Sequence, residues 1–399
     1  MHIGHLGRAP RISLARPAWS LRGGDLLSPL LPFADAKRAT GLDIGTTFIK
    51  AVELRKTRNK VEITCVGVHP TPEGTIINGS VLDPARAASA VKEALREGGI
   101  RSREVYAAIA GDDVVVRHAV FPGMPKEELA QAVKWDAGSY IPYPAKDASI
   151  DFHVVGPAPE SGDKVEVMIV AAPRKLVESH LETMKLAGVY PVALDIQPIT
   201  LDRVFGRGES GGAGFYADIG GGTTDIAYSE DGVLRFTRMV GIGGNDFTAA
   251  VAEATGGDAS WAEMAKRKAS LSRRVADTFG GEQGGKVSPG DVQIGRALSQ
   301  VASELALEIR RSIDYCNAQA RARRSGDSPI TCVTLTGGGS RLAGLPEFLE
   351  DSLGVAVRLG DPMRNVVFAP GSRLAEVIST YGPSLSVAIG LALRGVEAA

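Results

Sequence analysis

Tyr216 to Gly232 reads YADIGGGTTDIAYSEDG, and the fold depends on how this stretch is taken. An apolar run ends on Asp218, three glycines (Gly220, Gly221, Gly222) and two threonines (Thr223, Thr224) follow, and Asp225 opens a second apolar run. That order describes a β-hairpin. Glycine permits positive φ and lets backbone N–H groups approach an oxyanion with no Cβ in the way, and the threonine hydroxyls add donors. Such a turn can cradle phosphates. An aspartate at the strand end beside it can hold Mg2+, usually through water, because Mg2+ dehydrates reluctantly and takes one or two carboxylates plus phosphate. A glycine-rich turn is also an ordinary tight hairpin, so the stretch alone leaves both readings open.

A second copy shifts the balance. Gly41 to Lys50 reads GLDIGTTFIK, with Asp43 at the strand end, Gly45 in the turn, and Thr46 and Thr47 before Phe48 and Ile49 resume the strand. Two Asp-x-Gly turns with paired threonines, about one domain's length apart, read as the two phosphate loops of a clamp.

The chain of 399 residues is 44% hydrophobic and 23% charged, ordinary for a globular protein of two or more domains. A formal net charge of -1 argues against a nucleic-acid binder, which needs a concentrated basic face. Cys65, Cys316 and Cys332 lie far apart without C-x-x-C spacing, so neither a disulfide framework nor a zinc site is implied. No segment approaches the continuous apolar length of a spanning helix, and a cytoplasmic location is expected. Residues 1–38 carry six Arg or Lys against Asp25 and Asp35, with scattered prolines and no period. An Arg-rich presequence, a disordered extension and a start codon placed too early are the available readings.

From Gly41 the chain becomes regular. Strands are expected at 49–54, 61–68, 105–110 and 114–121, with a helix over 84–97 whose Ala87, Ala90, Val91, Ala94 and Leu95 share one face. At Pro122 the texture changes: a helix opened by Pro125, a proline-punctuated YIPY loop and two strands read as a small subdomain inserted at 117–172. Trp135, Tyr140, Ile141 and Tyr143 crowd its loop, and form either its core or the wall of a peptide groove. A helix over 175–187 and a strand at 191–195 return to the parent domain. Gln197 then opens a helix before Pro198, placed either to cap it or to orient a water in the cleft. After the main hairpin come a strand at 233–239, a helix at 244–255, a further helix in SWAEMAKRKASL and a mobile loop at 279–289. The longest helix, 294–323, carries the apolar stripe Leu298, Val301, Leu305, Ile309, Ile313 and Cys316. Its Glu304, Glu308, Arg310 and Arg311 form a solvated face or border a nucleotide, with Arg311 the candidate for the second role. Gly337, Gly338, Gly339 and Ser340 form a third glycine turn, able to lie flat against a planar base or an α-phosphate.

The motifs DIGTT, QPITLDRVFG, DIGGGTTD, LTGGGSRLAGLPEFL and VAIGLALR resemble, in order, the first phosphate, first connecting, second phosphate, adenosine and second connecting motifs of the actin-like ATPases. KEELAQAVKWDAGSYIPY, VMIVAAPRKLVESHLETMKLAGVYPVALDIQP and EIRRSIDYCNAQ are similar to the PilM family of type IV pilus assembly. The resemblance covers about 41–394 and omits the leader.

It implies an α/β fold of two lobes, each a duplicated ribonuclease-H-like sheet, with ATP and Mg2+ in the cleft and a subdomain of the kind shared with FtsA. The expected division is 1–38 extension, 39–116 and 173–206 first lobe, 117–172 insert, 207–380 second lobe and 381–399 a helix returning to the first lobe. Carried over by position, Asp43 and Asp218 face the metal and the glycine–threonine turns hold β- and γ-phosphates. Gly337 to Ser340 lie against adenosine, while Gln197, with Asp218 and Asp225, occupies the catalytic place. The implied partner is the cytoplasmic N-terminal peptide of a PilN-like inner-membrane protein, alongside other pilus proteins and self-association, which places the chain peripherally at the membrane. The triple glycine in the second turn is closer to ATP-hydrolysing chaperones and FtsA.

An FtsA-like division filament and a sugar or acid kinase compete with the scaffold. FtsA-type proteins carry an amphipathic helix after the second connecting motif, where five residues remain here, and no catalytic acid for a kinase stands out beyond the metal aspartates.

Overall fold

The computed structural model describes residues 37–58, 60–158, 162–206, 212–271, 288–322, 329–369 and 373–397. In the first lobe, β1 (Lys37–Ile44), β2 (Phe48–Lys56) and β3 (Val61–Pro70) form an antiparallel meander. A short ribbon, β4 (Ile76–Ile77) with β5 (Ser80–Val81), leads into α1 (Pro84–Glu97) and β6 (Glu104–Ile109). Asp83 caps α1 by accepting from the Arg86 amide at 3.0 Å, and Pro84 sets its first turn.

The chain then leaves for the insert, with β7 (Val115–Pro122), α2 (Lys126–Asp136), β8 (Ala148–Pro157) and β9 (Lys164–Pro173). Its three strands form a separate antiparallel sheet in the order β7-β9-β8. It returns through α3 (Arg174–Ala187), β10 (Tyr190–Ile196) and α4 (Gln197–Phe205). Both β6 and β10 run parallel to β1, completing the order β10-β6-β1-β2-β3.

The second lobe repeats the plan. β11 (Ala213–Ile219), β12 (Thr224–Glu230) and β13 (Val233–Val240) form the meander. After α5 (Gly244–Thr255), α6 (Ala259–Lys268) and α7 (Pro289–Ala322) come β14 (Cys332–Thr336), α8 (Leu345–Leu353) and β15 (Ala356–Leu359). The order β13-β12-β11-β14-β15, with β14 and β15 parallel to β11, has the same topology as the first sheet. This is the duplicated, two-lobed actin-like fold. Each central strand is buried on both faces: β1 is buried from Ala39 to Ile44, as a strand covered by helices on either side should be.

The chain closes with α9 (Arg373–Tyr381) and α10 (Ser386–Glu397). Residues Leu374–Glu397 are apolar enough, by length and composition, to cross a membrane. A 310 turn at Gly382–Leu385 interrupts them, and α10 is a core helix with Val387 to Leu393 buried. It packs closely because its neighbours are small: a Cβ on Gly41 would lie 2.0 Å from the Ala388 carbonyl oxygen. Asp195, 1% exposed, ties β10 to α4 and α10 by accepting Arg203 at 3.3 Å and pairing with Arg394 at 2.6 Å.

Three boundaries differ from expectation. Lys37 and Arg38, placed in the leader, belong to β1, where Arg38 pairs with Glu53 at 2.9 Å; the rest of the leader lies outside the described residues. The chain rejoins the first lobe before residue 381, since Val367 bridges to Glu62 on the edge of that sheet and Ile378 sits in its core. The longest helix starts at Pro289, five residues ahead of 294. Ser288 and Asp291 form a reciprocal cap there, the Asp291 amide donating to Ser288 Oγ at 3.2 Å and the Ser288 amide to Asp291 Oδ2 at 2.9 Å. Most of the expected mobile loop at 279–289 lies outside the described residues.

Candidate functional site

The two hairpin turns meet. A Cβ on Gly221 would lie 1.8 Å from Thr47 Oγ1, and one on Gly222 would lie 3.3 Å from Thr46 Cγ2. Glycine at 221 is therefore what allows the turns of the two lobes to come together. They front a cleft of about 860 Å3, within the range of small-molecule sites.

In the first turn Asp43 is buried, with 2% exposure. The hairpin register sets it opposite Lys50, whose Nζ is 2.6 Å from Asp43 Oδ2, and Gln197 Nε2 donates to Oδ1 at 3.3 Å. The Gln197 side chain makes no cap on α4 and lines the cleft instead. Thr47 Oγ1 is buried without a hydrogen-bond partner, in the wall of the cleft.

In the second turn the hairpin pairs Asp218 with Asp225 across β11 and β12. Burial pushes the Asp218 carboxyl up to about 7, Lys50 opposing and Asp43 adding to the rise. Burial also pushes Asp225 up to about 8, helped by Asp218, Asp43 and Asp112. The turn closes by a Gly220 N–H to Thr223 carbonyl bond of 2.8 Å. The carbonyls of Gly220 and Gly221 are taken by the amides of Gly244 (2.9 Å) and Asn245 (2.7 Å). With those carbonyls engaged, what the turn can offer an anion is its N–H groups.

The third turn stands against the second. Gly337 has φ of +85°, and a Cβ there would lie 2.3 Å from Asp218 Oδ1, so both backbone and space require glycine. Gly338 and Gly339 line the cleft beside it.

Of the residues singled out from sequence, Asp43, Gly45, Thr46, Thr47, Gln197, Asp218, Gly220, Gly221, Thr223, Asp225, Gly337, Gly338 and Gly339 line this one cleft. Thr224 and Ser340 stand behind it. Thr224 is fully buried and donates to the Ile242 carbonyl at 2.7 Å, and Ser340 donates to the Gly337 carbonyl at 2.7 Å, so each braces a turn. Arg311 is not at the cleft: its side chain is 60% exposed on α7 and pairs with Glu308 at 2.6 Å.

The aromatic loop of the insert also differs from the groove reading. Ile141 is buried, Tyr140 packs on Phe121, and Tyr143 packs in the insert while its hydroxyl donates to the Asp113 carbonyl at 2.9 Å. These side chains fill the small subdomain, and Trp135 alone of the four is exposed, at 93%.

Sequence reading passed over Lys50, although it closes the quoted GLDIGTTFIK and lies in register with Asp43. It gave the helix in SWAEMAKRKASL, α6, no part in the site, yet Glu263, Lys266 and Arg267 share a face lining the cleft. Lys266 Nζ pairs with Glu263 at 2.6 Å and donates to the Gly244 carbonyl at 2.9 Å and Thr248 Oγ1 at 2.8 Å, so this face is pre-formed.

The donor set suits a magnesium nucleoside triphosphate: glycine turns whose closest approach excludes a Cβ, an orphaned threonine hydroxyl, and buried carboxylates outnumbering cations. Among the described residues no group of three or more His, Cys, Asp or Glu side chains could enclose a metal alone.

A family model described as type IV pilus assembly protein PilM matches residues 41–278, more than half of the chain, and one described as cell division protein FtsA matches 216–390. The structure is similar to a solved PilM–PilN type IV pilus biogenesis complex, with TM-score 0.73 and 33% identity, covering 90% of this chain and 98% of that one. It resembles in fold MreB5 of Spiroplasma citri bound to AMPPNP, with TM-score 0.50 and 13% identity over 90% of this chain and 96% of that one. The FtsA of Pseudomonas aeruginosa is 27% identical over 392 residues, 90% of each chain. The two-lobed sheets, the inserted subdomain and these matches agree: the chain belongs to the PilM family of actin-like type IV pilus assembly proteins.

Proposed function

We propose that this chain is a cytoplasmic, ATP-binding scaffold of the type IV pilus inner-membrane platform. It binds the N-terminal cytoplasmic peptide of a PilN-like membrane protein and so sits peripherally at the membrane. The observation that carries the reading is the 33% identity, over nine-tenths of the chain, to a structure solved as a PilM–PilN complex. The facing glycine turns support the nucleotide part.

In this reading Asp43 and Asp218 hold Mg2+ through water, which neutralises phosphate charge when bound. The turns at Gly45–Thr47 and Gly221–Thr223 donate to the β- and γ-phosphates, and Thr47 Oγ1 gains its missing partner. Lys50, 2.6 Å from Asp43, is placed to turn toward phosphate. Glu263, Lys266 and Arg267 close over the nucleoside opposite Gly337–Gly339, and Gln197 stands where it can orient a water.

A synthetic peptide matching the cytoplasmic N-terminus of the PilN homologue encoded with this chain should bind in the micromolar range with ATP and Mg2+ present. An unrelated peptide in excess should not displace it. No binding at millimolar peptide would move the division-filament reading ahead, which the FtsA match over 216–390 supports. That reading expects ATP-dependent polymers by sedimentation.

A further inference from the structure

The insert is covalently part of the first lobe, entered from β6 and left through α3, yet it also grips the second lobe. His118 on β7 is bound through Nε2 to the Leu234 carbonyl of β13 at 2.8 Å. Arg235 of β13 donates to Glu166 Oε1 on β9 at 2.5 Å, and His118 Nδ1 lies 3.0 Å from the same oxygen. Arg235 Nε stands 3.8 Å from Glu230. The side chains of His118, Glu166 and Arg235 are 19%, 15% and 15% exposed, so water screens this cluster poorly. Leu234, itself buried, shares an apolar cluster with Val116 and Met168 of the insert.

The other end of β13 leads to the phosphate turn. Val240 pairs with Thr224, Ile242 accepts the Thr224 hydroxyl, and the amides of Gly244 and Asn245 hold the carbonyls of Gly220 and Gly221. From Arg235 to Gly241 is about 20 Å of backbone at strand rise, most of it hydrogen-bonded to β12. A strand fixed at both ends transmits displacement. Any change in the angle between the lobes must either break the cluster or carry the insert with the second lobe.

We propose that β13 couples the two ends, so that a ligand on the Gly220–Gly222 turn changes the seating of the insert on the second lobe, and a protein bound to the insert changes nucleotide affinity by the same factor. The reciprocity follows from linkage. This rests on the cleft being a nucleotide site, and the test separates the two ideas.

Titration calorimetry of the full-length chain with Mg2+ and AMPPNP reports the site, and hydrogen exchange reports the coupling. In the native protein AMPPNP should slow amide exchange in β7 and β9 by about fivefold or more, the lower end of typical coupling. The double variant Glu166→Gln/Arg235→Met removes the ion pair across the interface and leaves neither of its partners charged. It should still bind AMPPNP and lose the slowing in β7 and β9, while the slowing at Gly220–Asp225 persists. His118→Gln, which keeps a donor toward Leu234 and loses Nδ1, should lose part of it and guards against misfolding of the double variant. Slowing in β7 and β9 that survives in the folded double variant, or native protein that binds AMPPNP without it, overturns the coupling and leaves the nucleotide site standing. Native protein that binds no AMPPNP overturns both.

Discussion

The two phosphate hairpins share a topology and differ in how their acids are balanced. In the first, Asp43 is paired with Lys50 at 2.6 Å and receives Gln197 at 3.3 Å, all supplied by the chain. In the second, Asp218 and Asp225 face each other across a strand pair, and both carboxyls are pushed well above the usual range. One arm carries its own counter-charge and the other awaits one. Duplicated sheets therefore need not carry duplicated chemistry. In the first arm the acid is already charge-balanced within the fold, and in the second the acids are the ones whose ionisation a cation would most favour.

Substitutions should separate the arms by sign as well as size. The largest effect is expected in the first: Lys50→Met leaves the buried Asp43 carboxylate without its cation and should cost about 3–5 kcal/mol in denaturant unfolding. A loss below about 1 kcal/mol would mean that Asp43 finds another partner and that the arms are alike. In the second arm Asp218→Ala should weaken AMPPNP binding in Mg2+ by about 10–100-fold, with circular dichroism unchanged. Unaltered affinity by calorimetry would take Asp218 out of the site.

Smaller again is the effect of closing distance. Gly221→Ala puts a methyl 1.8 Å from Thr47 Oγ1, so either the turns part or Thr47 rotates away before the contact can clear 3.0 Å. About tenfold weaker AMPPNP binding, near 1.4 kcal/mol, is expected from calorimetry. Equal affinity would show that the arms do not need to touch to hold phosphate.

How much of this was legible in sequence follows the range over which each signal acts. The hairpins could be read because Asp-x-Gly and paired threonines lie within a few residues, and α1 because Ala87, Ala90, Val91, Ala94 and Leu95 recur at helical spacing. Lys50 was within reach too, since a tight turn fixes register and register sets it against Asp43. Glu263, Lys266 and Arg267 were not, because helical spacing says that they share a face and nothing about what the face meets. Arg311 failed for the same reason: Ile309, Ser312, Ile313 and Cys316 turn inward on α7 and leave Arg311 outside. Tyr140 and Tyr143 suit a core and a groove equally well, and only tertiary packing chose the core. The expected Gln197 and Asp43 roles rest on proximity across 154 positions, which only the folded chain brings about.

The smallest effect tests the second arm by pH. The Asp225 carboxyl is raised to about 8 from an ordinary 3.8, first by burial and then by Asp218, Asp43 and Asp112. Below pH 3.8 it is protonated in folded and unfolded chains alike, and its contribution is fully present. As pH rises the unfolded chain ionises freely while the folded chain holds its proton, so stability falls progressively until the folded group ionises near pH 8. Asp218, raised to about 7, acts in the same direction. Nucleotide-free protein should therefore lose stability between pH 5 and 8 through these two acids. Asp225→Asn should be more stable than the native chain at pH 8 and not resolvably different at pH 4. Mg2+ with AMPPNP should oppose the trend, because a cation beside the acids favours their ionised form, and the gain in melting temperature on binding should grow from pH 6 to 8. Parallel melting curves for the native chain and Asp225→Asn across this range would show that the second arm is balanced after all, and the contrast between the hairpins would fail.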